Sequence, residues 1–216
     1  MIDFKGAIFD ADGTLLNSMP IWDNTAGKYL ISQGITPRPT MKEDLVSMGG
    51  HELPNYFLTE YGLDKTYEEI RCGISKMLED FYFNKAPIKD GVITLLDLLR
   101  GRGIKMCVAT ATDRNLMEPA LKRLGLYKYF ERIFTCSEEQ TTKRSPDIFI
   151  RAAEFLGTPI SQTLIFEDAL YAIKSAKDAG FPVVAVYDLW ADAHQEEIKS
   201  LCDYYYHSLA DAIECF

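Results

Sequence analysis

Two aspartates, one residue apart, end the first apolar segment of this chain. Residues 5–16 read Lys-Gly-Ala-Ile-Phe-Asp-Ala-Asp-Gly-Thr-Leu-Leu, and Gly6 to Phe9 has the short apolar pattern of a buried strand. Burial and mutual repulsion disfavour two carboxylates here unless a cation or hydrogen-bond donors compensate. Side chains at i and i+2 of a strand point the same way, so Asp10 and Asp12 could converge on one Mg²⁺ ion.

A simple turn is the alternative interpretation of the same residues. Asp-Gly pairs are common in turns, where the aspartates accept hydrogen bonds from their own backbone. This segment fits both interpretations, so the other strands of the chain must decide between them.

From residue 87 onward, short apolar strands alternate with amphipathic helices. This alternation predicts a parallel sheet covered by helices on both faces, an α/β doubly wound fold. The predicted strands are 104–109, 132–135, 163–166, 183–187 and a short one at 204–206. The predicted helices are 92–100, 116–124, 147–156, 170–179 and a last one from Leu209.

Residues 19–86 have helical periodicity and little strand character, with loops at 36–40 and 48–51. The first strand must join the same sheet as the later ones, so this helical segment is an insertion. The sequence therefore predicts an α/β core domain of residues 1–16 and 87–216, with an inserted helical cap domain of residues 17–86.

Polar residues follow four of the predicted strands at the edge where doubly wound sheets bind ligands. The second strand ends in Thr110-Ala111-Thr112, Lys143 follows the third, and the fourth ends in Glu167-Asp168. With the aspartates of the first strand, they bring carboxylates, hydroxyls and an ammonium group to one edge, as magnesium-dependent phosphoryl transfer requires. Taken singly, they could also be strand-end threonines, a solvated lysine and a helix N-cap.

These four segments resemble, in order, the motifs of the haloacid-dehalogenase-like superfamily. The matching residues are Phe9-Asp10-Ala11-Asp12-Gly13-Thr14-Leu15, Val108-Ala109-Thr110, Lys143 with Pro146-Asp147-Ile148-Phe149, and Ile165-Phe166-Glu167-Asp168. The resemblance covers nearly the whole chain. It is closest to the β-phosphoglucomutase and phosphoglycolate-phosphatase-like branch, which has a helical cap between the first and second motifs.

The resemblance implies a catalytic role for each motif residue. Asp10 is the implied nucleophile, which forms an aspartyl-phosphate. Asp12 protonates the leaving alcohol and later takes a proton from the hydrolytic water. Thr110 and the amide of Ala111 bind the phosphoryl oxygens, and Lys143 neutralises charge on the nucleophile and the phosphate.

The resemblance also implies a Mg²⁺ cofactor. Its ligands are Asp10, the backbone carbonyl of Asp12, and Asp168, while Glu167 lies close by or also binds the ion. In this pattern the side chain of Asp12 stays available for proton transfer, which differs from the convergence of both carboxylates that strand geometry alone allows.

Two features of the chain depart from the family pattern. Thr142-Lys143-Arg144 stands where Gly-Lys-Pro is common, so the ammonium is kept and Arg144 is added. Phosphomutases of this branch resemble one another in a cap histidine and a cap-loop arginine, but this chain has Trp22 and His51 near those positions. We therefore favour a hydrolase, and we take Trp22 and His51 as candidate substrate contacts in the cap, with packing inside the cap as the alternative.

The amino-acid composition indicates which binding partners and which cellular compartment suit this protein. The formal net charge of -9 and the absence of a basic block argue against nucleic acid and anionic membranes as partners. Five cysteines without Cys-x-x-Cys spacing suit a reducing cytoplasm better than a zinc site or a disulfide framework. No apolar run approaches the length that crosses a membrane. The oligomeric state stays open, and a monomer is compatible with the sequence.

The sequence thus predicts a cytoplasmic, Mg²⁺-dependent phosphatase for small phosphorylated metabolites, sugar phosphates among them. A sugar phosphomutase of the β-phosphoglucomutase type is the alternative within enzymes. A non-catalytic, Mg²⁺-binding regulatory module is the alternative outside them, although no catalytic motif residue is missing.

Overall fold

A six-stranded parallel sheet forms the centre of the molecule. The structure is a computed structural model that describes residues 4–45, 48 and 52–216, apart from the side chains of Asp23 and Lys42. Its strand order is β3-β2-β1-β4-β5-β6. The strands are β1 Gly6–Phe9, β2 Lys105–Thr110, β3 Ile133–Thr135, β4 Thr163–Glu167, β5 Val183–Val186 and β6 Tyr204–Tyr206.

Ten α-helices in the described part of the chain accompany this sheet. They are α1 Met19–Ser32, α2 Met41–Leu45, α3 Leu53–Tyr61, α4 Tyr67–Asp80, α5 Val92–Gly101, α6 Arg114–Arg123, α7 Asp147–Leu156, α8 Leu170–Asp178, α9 Gln195–Leu201 and α10 Leu209–Ala212. A π-helical turn spans Phe81–Lys85, and short 3₁₀ segments span Tyr127–Tyr129, Ile160–Gln162, Leu189–His194 and Ile213–Cys215.

The strands are apolar on both faces because helices cover both sides of the sheet. In β1, all four residues are buried. Alternate side chains of this strand enter different apolar clusters: Ala7 and Phe9 belong to one and Ile8 to the other. This arrangement confirms the predicted fold class, a doubly wound parallel sheet with a helical insertion.

The register of the sheet fixes where the polar strand ends meet. β1 lies between β2 and β4, with Phe9 opposite Val108 on one side and Phe166 on the other. The next residue, Asp10, therefore leaves the sheet between the ends of its two neighbours. Its backbone N–H donates to the carbonyl of Phe166 at 2.9 Å, which holds it in place.

Helices α1 to α4 and the π-helical turn, which we call the inserted helices, lie between β1 and β2 in the chain. Among them, Tyr29 of α1 stacks on Phe57 of α3 at 5.7 Å between ring centroids. The outgoing and returning connections run side by side, because Asn17 N–H donates to the carbonyl of Pro87 at 3.0 Å. The division into a core domain and a cap domain at these connections stays a prediction.

The segment after β5 contains two helical elements that the sequence analysis missed, the 3₁₀ segment Leu189–His194 and α9. Ala191, Gln195 and Ile198 are buried at helical spacing, but a glutamine in the middle breaks the apolar periodicity. The structure shows why it is tolerated: Gln195 Nε2 donates to the carbonyls of Asp188 and Ala191 at 3.3 and 3.1 Å. A buried amide with partners loses little by leaving water.

Gly91 offers a test of this packing. It precedes α5 with φ of +81°, and a β-carbon there would lie 2.1 Å from the backbone nitrogen of Ala210. Gly62 has a similar φ of +60° but no atom within 4 Å of an added β-carbon. We expect Gly62→Ala to cost about 1 kcal/mol for its backbone conformation alone, and Gly91→Ala to cost about 3 kcal/mol or more because backbone must also move.

Urea unfolding followed by circular dichroism measures both losses. Equal losses for the two variants would show that α10 does not pack against the start of α5 as described.

Candidate active site

Lys143 is buried between two carboxylates at the carboxyl ends of β1 and β4. Its ammonium group donates to Asp10 Oδ1 and, at 2.6 Å, to Glu167 Oε1. The exposed fractions of the three side chains are 2% for Lys143, 7% for Asp10 and 1% for Glu167. The solvated-lysine alternative is therefore wrong, and a residue from the loop before α7 joins the ends of two adjacent strands.

Charge in this cluster is not balanced by the protein alone. Burial raises the pKa of Asp10 to about 8. The ammonium of Lys143 lowers this pKa, whereas the negative charges of Glu167 and Asp12 raise it further. Burial and the neighbouring Glu167 likewise raise the pKa of Asp168 well above its usual value. Burial opposes the charged form of Lys143, yet the two carboxylates raise its pKa. One ammonium thus faces three buried carboxylates, a deficit of positive charge that a divalent cation compensates.

The donor atoms fit a magnesium ion. Asp10, Glu167 and Asp168 each place a carboxylate oxygen within 4.8 Å of the others. Asp10 Oδ2 is a buried side-chain oxygen that accepts no hydrogen bond from the described residues, and hard oxygen ligands are what Mg²⁺ prefers. Glu167 accepts the most hydrogen bonds of the three carboxylates. Its Oε1 accepts from Lys143, and its Oε2 accepts from the amides of Asp168 and Ala169, both at 2.8 Å.

Asp12 has different surroundings from Asp10. Its Oδ1 accepts from the hydroxyls of Ser18 at 2.5 Å and Tyr82 at 2.7 Å, and its Oδ2 accepts from Thr112 Oγ1 at 2.7 Å. Three hydroxyl donors therefore hold its carboxylate outside the acidic cluster. The Asp12 side chain is not part of the group Asp10, Glu167 and Asp168 that could hold an ion, and which atom of Asp12 binds Mg²⁺ stays a prediction.

Gly13 lets the loop after β1 approach Asp168. It has φ of +94°, and a β-carbon there would lie 2.2 Å from Asp168 Oδ2. The next residue, Thr14, donates its hydroxyl to Asp168 Oδ1 at 3.2 Å. The glycine that reads as a turn residue in the sequence is therefore needed for close packing against an acidic side chain.

The threonines after β2 form a compact turn beside the cluster. Thr110 is fully buried, and its Oγ1 accepts from the amide of Thr112 at 3.0 Å. Its own O–H can still donate, and Ala111 lines the cavity next to the carboxylates. The phosphate-binding roles of Thr110, Ala111 and Lys143 stay predictions, which this placement suits.

Lys89 is a residue of this region that the sequence analysis missed. Its ammonium donates to the carbonyls of Gly13 at 2.6 Å and Tyr187 at 2.8 Å, and to Asp188 Oδ2 at 3.0 Å. It thereby ties the loop after β1 to the loop after β5. The sequence carries no local signal for it, because Lys89 and Asp188 are far apart in the chain and neither belongs to a motif.

A cavity of about 250 Å³ opens above this cluster, between the inserted helices and the sheet edge. Trp22 of α1 lines it, and so does His194, which lies in the C-terminal part of the chain. The role of Trp22 as a substrate contact stays a prediction. His51, the other candidate, lies outside the described residues. Arg144 stands at the cavity as well, where its Nε donates to Glu52 at 2.9 Å.

The fold and these residues are those of an α/β enzyme with an acidic site suited to phosphoryl transfer, and comparison with known proteins identifies the family. Residues 7–186 match the model of the haloacid dehalogenase-like hydrolase family, to which the chain belongs. Its relatives include phosphatases, which confirms the predicted enzyme class, a phosphoric monoester hydrolase acting on small phosphorylated substrates.

Three proteins illustrate the likeness. The fructose-1-phosphate phosphatase YqaB of Escherichia coli is 27% identical over 195 residues, 85% of this chain and 96% of that protein. SUPPRESSOR OF QUENCHING 1 of Arabidopsis thaliana is 33% identical over 190 residues, 84% of this chain but 18% of that protein. The crystal structure of CbbY from Rhodobacter sphaeroides with phosphate matches the fold with a TM-score of 0.82, at 22% identity and 96% coverage of both chains.

No helix in the described ranges is both long and apolar enough to cross a membrane.

The contact of Lys89 with Asp188 can be tested through stability. Both side chains are largely buried, 16% and 7% exposed. Lys89→Met leaves a buried carboxylate unpaired, so we expect it to cost about 3 kcal/mol. The double variant Lys89→Met/Asp188→Asn should cost less than the sum of the single changes by about 1 kcal/mol or more.

Urea unfolding of the four proteins gives this coupling energy. Lys199→Met is the matched control, because its ion pair with Glu196 lies at the surface and should leave the unfolding midpoint unchanged. Additive losses for Lys89 and Asp188 would contradict a direct contact.

Proposed function

We propose that this chain is a Mg²⁺-dependent phosphatase that hydrolyses small phosphorylated metabolites through an aspartyl-phosphate at Asp10. One observation carries the proposal: Asp10 has one oxygen fixed by Lys143, while its other oxygen, Oδ2, is buried without a partner among the described residues. Such an oxygen is oriented and poorly solvated, which suits a nucleophile beside a metal ion.

Asp10, Asp168 and the backbone carbonyl of Asp12 are the proposed ligands of Mg²⁺, with Glu167 beside them. When bound, the ion neutralises negative charge on the phosphoryl group and on the nucleophile. Glu167 contributes mainly by holding Lys143, because both its oxygens already accept hydrogen bonds.

The proposed reaction has two displacements at phosphorus. In the first, a carboxylate oxygen of Asp10 bonds to phosphorus, the bond from phosphorus to the substrate's oxygen breaks, and Asp12 gives its proton to the departing alcohol. In the second, Asp12 takes a proton from water, which attacks the same phosphorus and releases phosphate and Asp10. Lys143 and the amide of Ala111 hold the phosphoryl oxygens, and Thr110 donates its hydroxyl to them.

The three hydroxyls around Asp12 prepare it for this role. Ser18, Tyr82 and Thr112 fix the carboxylate apart from the acidic cluster, so that its side chain is not consumed as a metal ligand. Ser18 and Tyr82 lie close to the two connections of the inserted helices. We therefore propose that the helical segment, residues 17–86, acts as a cap over the core formed by residues 1–16 and 87–216.

Hydrolysis is preferred over mutase chemistry. Trp22 and His51 stand near the positions of the cap histidine and the cap-loop arginine that sugar phosphomutases share, and the relatives include phosphatases. Sugar phosphates are candidate substrates, since the E. coli relative is named for fructose 1-phosphate. Five free cysteines support a reducing compartment such as the cytoplasm.

Replacing the nucleophile tests the reaction class. Asp10→Asn keeps the size of the side chain but removes its nucleophilic oxygen, so we expect turnover of a generic aryl phosphate to fall by at least about 10³-fold. Phosphate release, measured with and without Mg²⁺, should also require the ion in the wild type. Activity that persists in Asp10→Asn, or hydrolysis that is indifferent to Mg²⁺ and chelator, would refute the proposal.

Asp12→Asn separates the two aspartates. Because only the backbone carbonyl of Asp12 is a proposed ligand, Mg²⁺ should still raise the thermal unfolding temperature of this variant as it does for the wild type. Turnover of an alkyl phosphate should nevertheless fall by about 10²-fold or more, since proton transfer is lost. Asp168→Asn is the matched control, and its response to Mg²⁺ should weaken. Loss of the Mg²⁺ response in Asp12→Asn would place that side chain on the metal.

A further inference from the structure

The cavity above the acidic cluster has a polar end and an apolar end. The polar end consists of Asp10, Lys143 and their neighbours. The remaining lining contains seven large apolar side chains, among them Met19, Trp22, Met48, Leu170 and Trp190. Because a phosphate monoester must place its phosphoryl group at the polar end, this apolar surface faces the alcohol part of the substrate.

Both sides of the cavity contribute to this surface. Trp22 lies on α1 of the inserted helices, and Trp190 lies in the 3₁₀ segment that follows β5 of the sheet. Each is half-buried in the structure. The backbone of Trp190 is fixed, because its N–H donates to Asp188 Oδ1 at 3.0 Å, and Lys89 in turn holds Asp188. Two indole rings thus belong to the same cavity, one from each side.

Among the described residues of the lining, few polar side chains remain to bind hydroxyls at this end. No asparagine, glutamine or serine is among the described residues that line the cavity. The hydroxyl of Thr112 donates to Asp12, and Lys174 pairs with Glu197 at 2.6 Å. Arg144 pairs with Glu52 and lies over the ring of Tyr171 at 4.9 Å.

This lining disfavours a polyhydroxylated substrate. A hydroxyl that leaves water without finding a partner costs roughly tenfold in affinity, and a hexose phosphate carries several. An aromatic ring has no hydroxyls that would lose hydrogen bonds to water, and its burial is favourable. It also packs favourably against other aromatic rings in offset or edge-to-face contact.

The size of the cavity fits a single ring. A dry cavity of about 150 Å³ accommodates a benzene molecule, so about 250 Å³ leaves room for one aromatic ring together with a phosphoryl group. Among the described residues of the lining, His194 and the hydroxyl of Tyr171 are the neutral polar groups left, and they suit one or two hydrogen-bonding substituents on such a ring.

We propose that the substrate of this enzyme is the phosphate monoester of an arylmethyl alcohol, a flat aromatic ring that carries its phosphate on a CH₂–O arm. The proposal rests on the phosphatase function proposed above, but it replaces sugar phosphates with an aromatic substrate class. The ring lies between the sides that carry Trp22 and Trp190, and the arm reaches Asp10. Transfer forms the bond from Asp10 to phosphorus and breaks the bond from phosphorus to the arm oxygen, which takes its proton from Asp12.

Three compounds with a six-membered ring on a phosphorylated primary alcohol test the proposal: benzyl phosphate, cyclohexylmethyl phosphate and glucose 6-phosphate. We expect kcat/KM for benzyl phosphate to exceed that for glucose 6-phosphate by at least about tenfold, with cyclohexylmethyl phosphate in between because it is apolar but not flat. Equal values, or a preference for glucose 6-phosphate, would overturn the proposal and leave the phosphatase function standing. If the wild type hydrolyses none of the three but still releases phosphate from a generic aryl phosphate, the arylmethyl proposal fails and the phosphatase function stands; if it hydrolyses none of the four, both proposals fail.

Trp190 and its neighbour supply a matched pair of variants. Trp190→Ala should raise KM for benzyl phosphate by about tenfold through lost ring contact, and KM for glucose 6-phosphate by a clearly smaller factor, because a hydroxylated ring gains less from the indole. Leu189→Ala is the control, because Leu189 is 74% exposed and is not part of the cavity lining. Trp190→Leu, which keeps apolar volume, should fall between wild type and Trp190→Ala.

Thermal unfolding shows whether each variant keeps its fold. If Trp190→Ala does not fold, Trp190→Leu carries the test. An equal rise in KM for benzyl phosphate and glucose 6-phosphate would contradict ring recognition by Trp190.

Discussion

The buried ammonium of Lys143 is the contact on which the geometry of the site depends. It lies between Asp10 at the end of β1 and Glu167 at the end of β4, and it reaches them from the loop before α7. Without it, two carboxylates would remain buried with no positive partner, a state that costs several kcal/mol in proteins. The order of the sheet makes the contact possible, because β1 and β4 are neighbours and end in register.

The same contact explains why Asp10 and Asp12, which are two residues apart in the chain, have different surroundings. Lys143 binds one oxygen of Asp10, and Glu167 and Asp168 also have carboxylate oxygens nearby, so the environment of Asp10 is made of charges. Asp12 meets neutral hydroxyl groups instead, from Ser18, Tyr82 and Thr112. Two identical residues, separated by Ala11, are thereby suited to nucleophilic attack and to proton transfer, since a carboxylate takes its chemistry from what surrounds it.

The sequence was sufficient to predict the sheet and the residues at its edge, because the carboxyl ends of parallel strands must meet. Asp10, Lys143 and Glu167 could be found in this way, each at the end of an apolar segment or shortly after one. Tyr82, Lys89 and Asp188 could not, because their partners are distant in the chain and no periodicity links them. The helix containing Gln195 was missed for a related reason: its buried amide is satisfied by carbonyls that only the folded chain supplies.

The covalent intermediate at Asp10 is the central claim, and trapping it is the most direct test. Borohydride reduces an aspartyl-phosphate to homoserine, so enzyme quenched during turnover with Mg²⁺ and an alkyl phosphate can be reduced, digested and sequenced by mass spectrometry. We predict homoserine at position 10, and none when the substrate is omitted. Homoserine at another aspartate, or its absence at position 10 while phosphate is being released, would contradict an aspartyl-phosphate at Asp10.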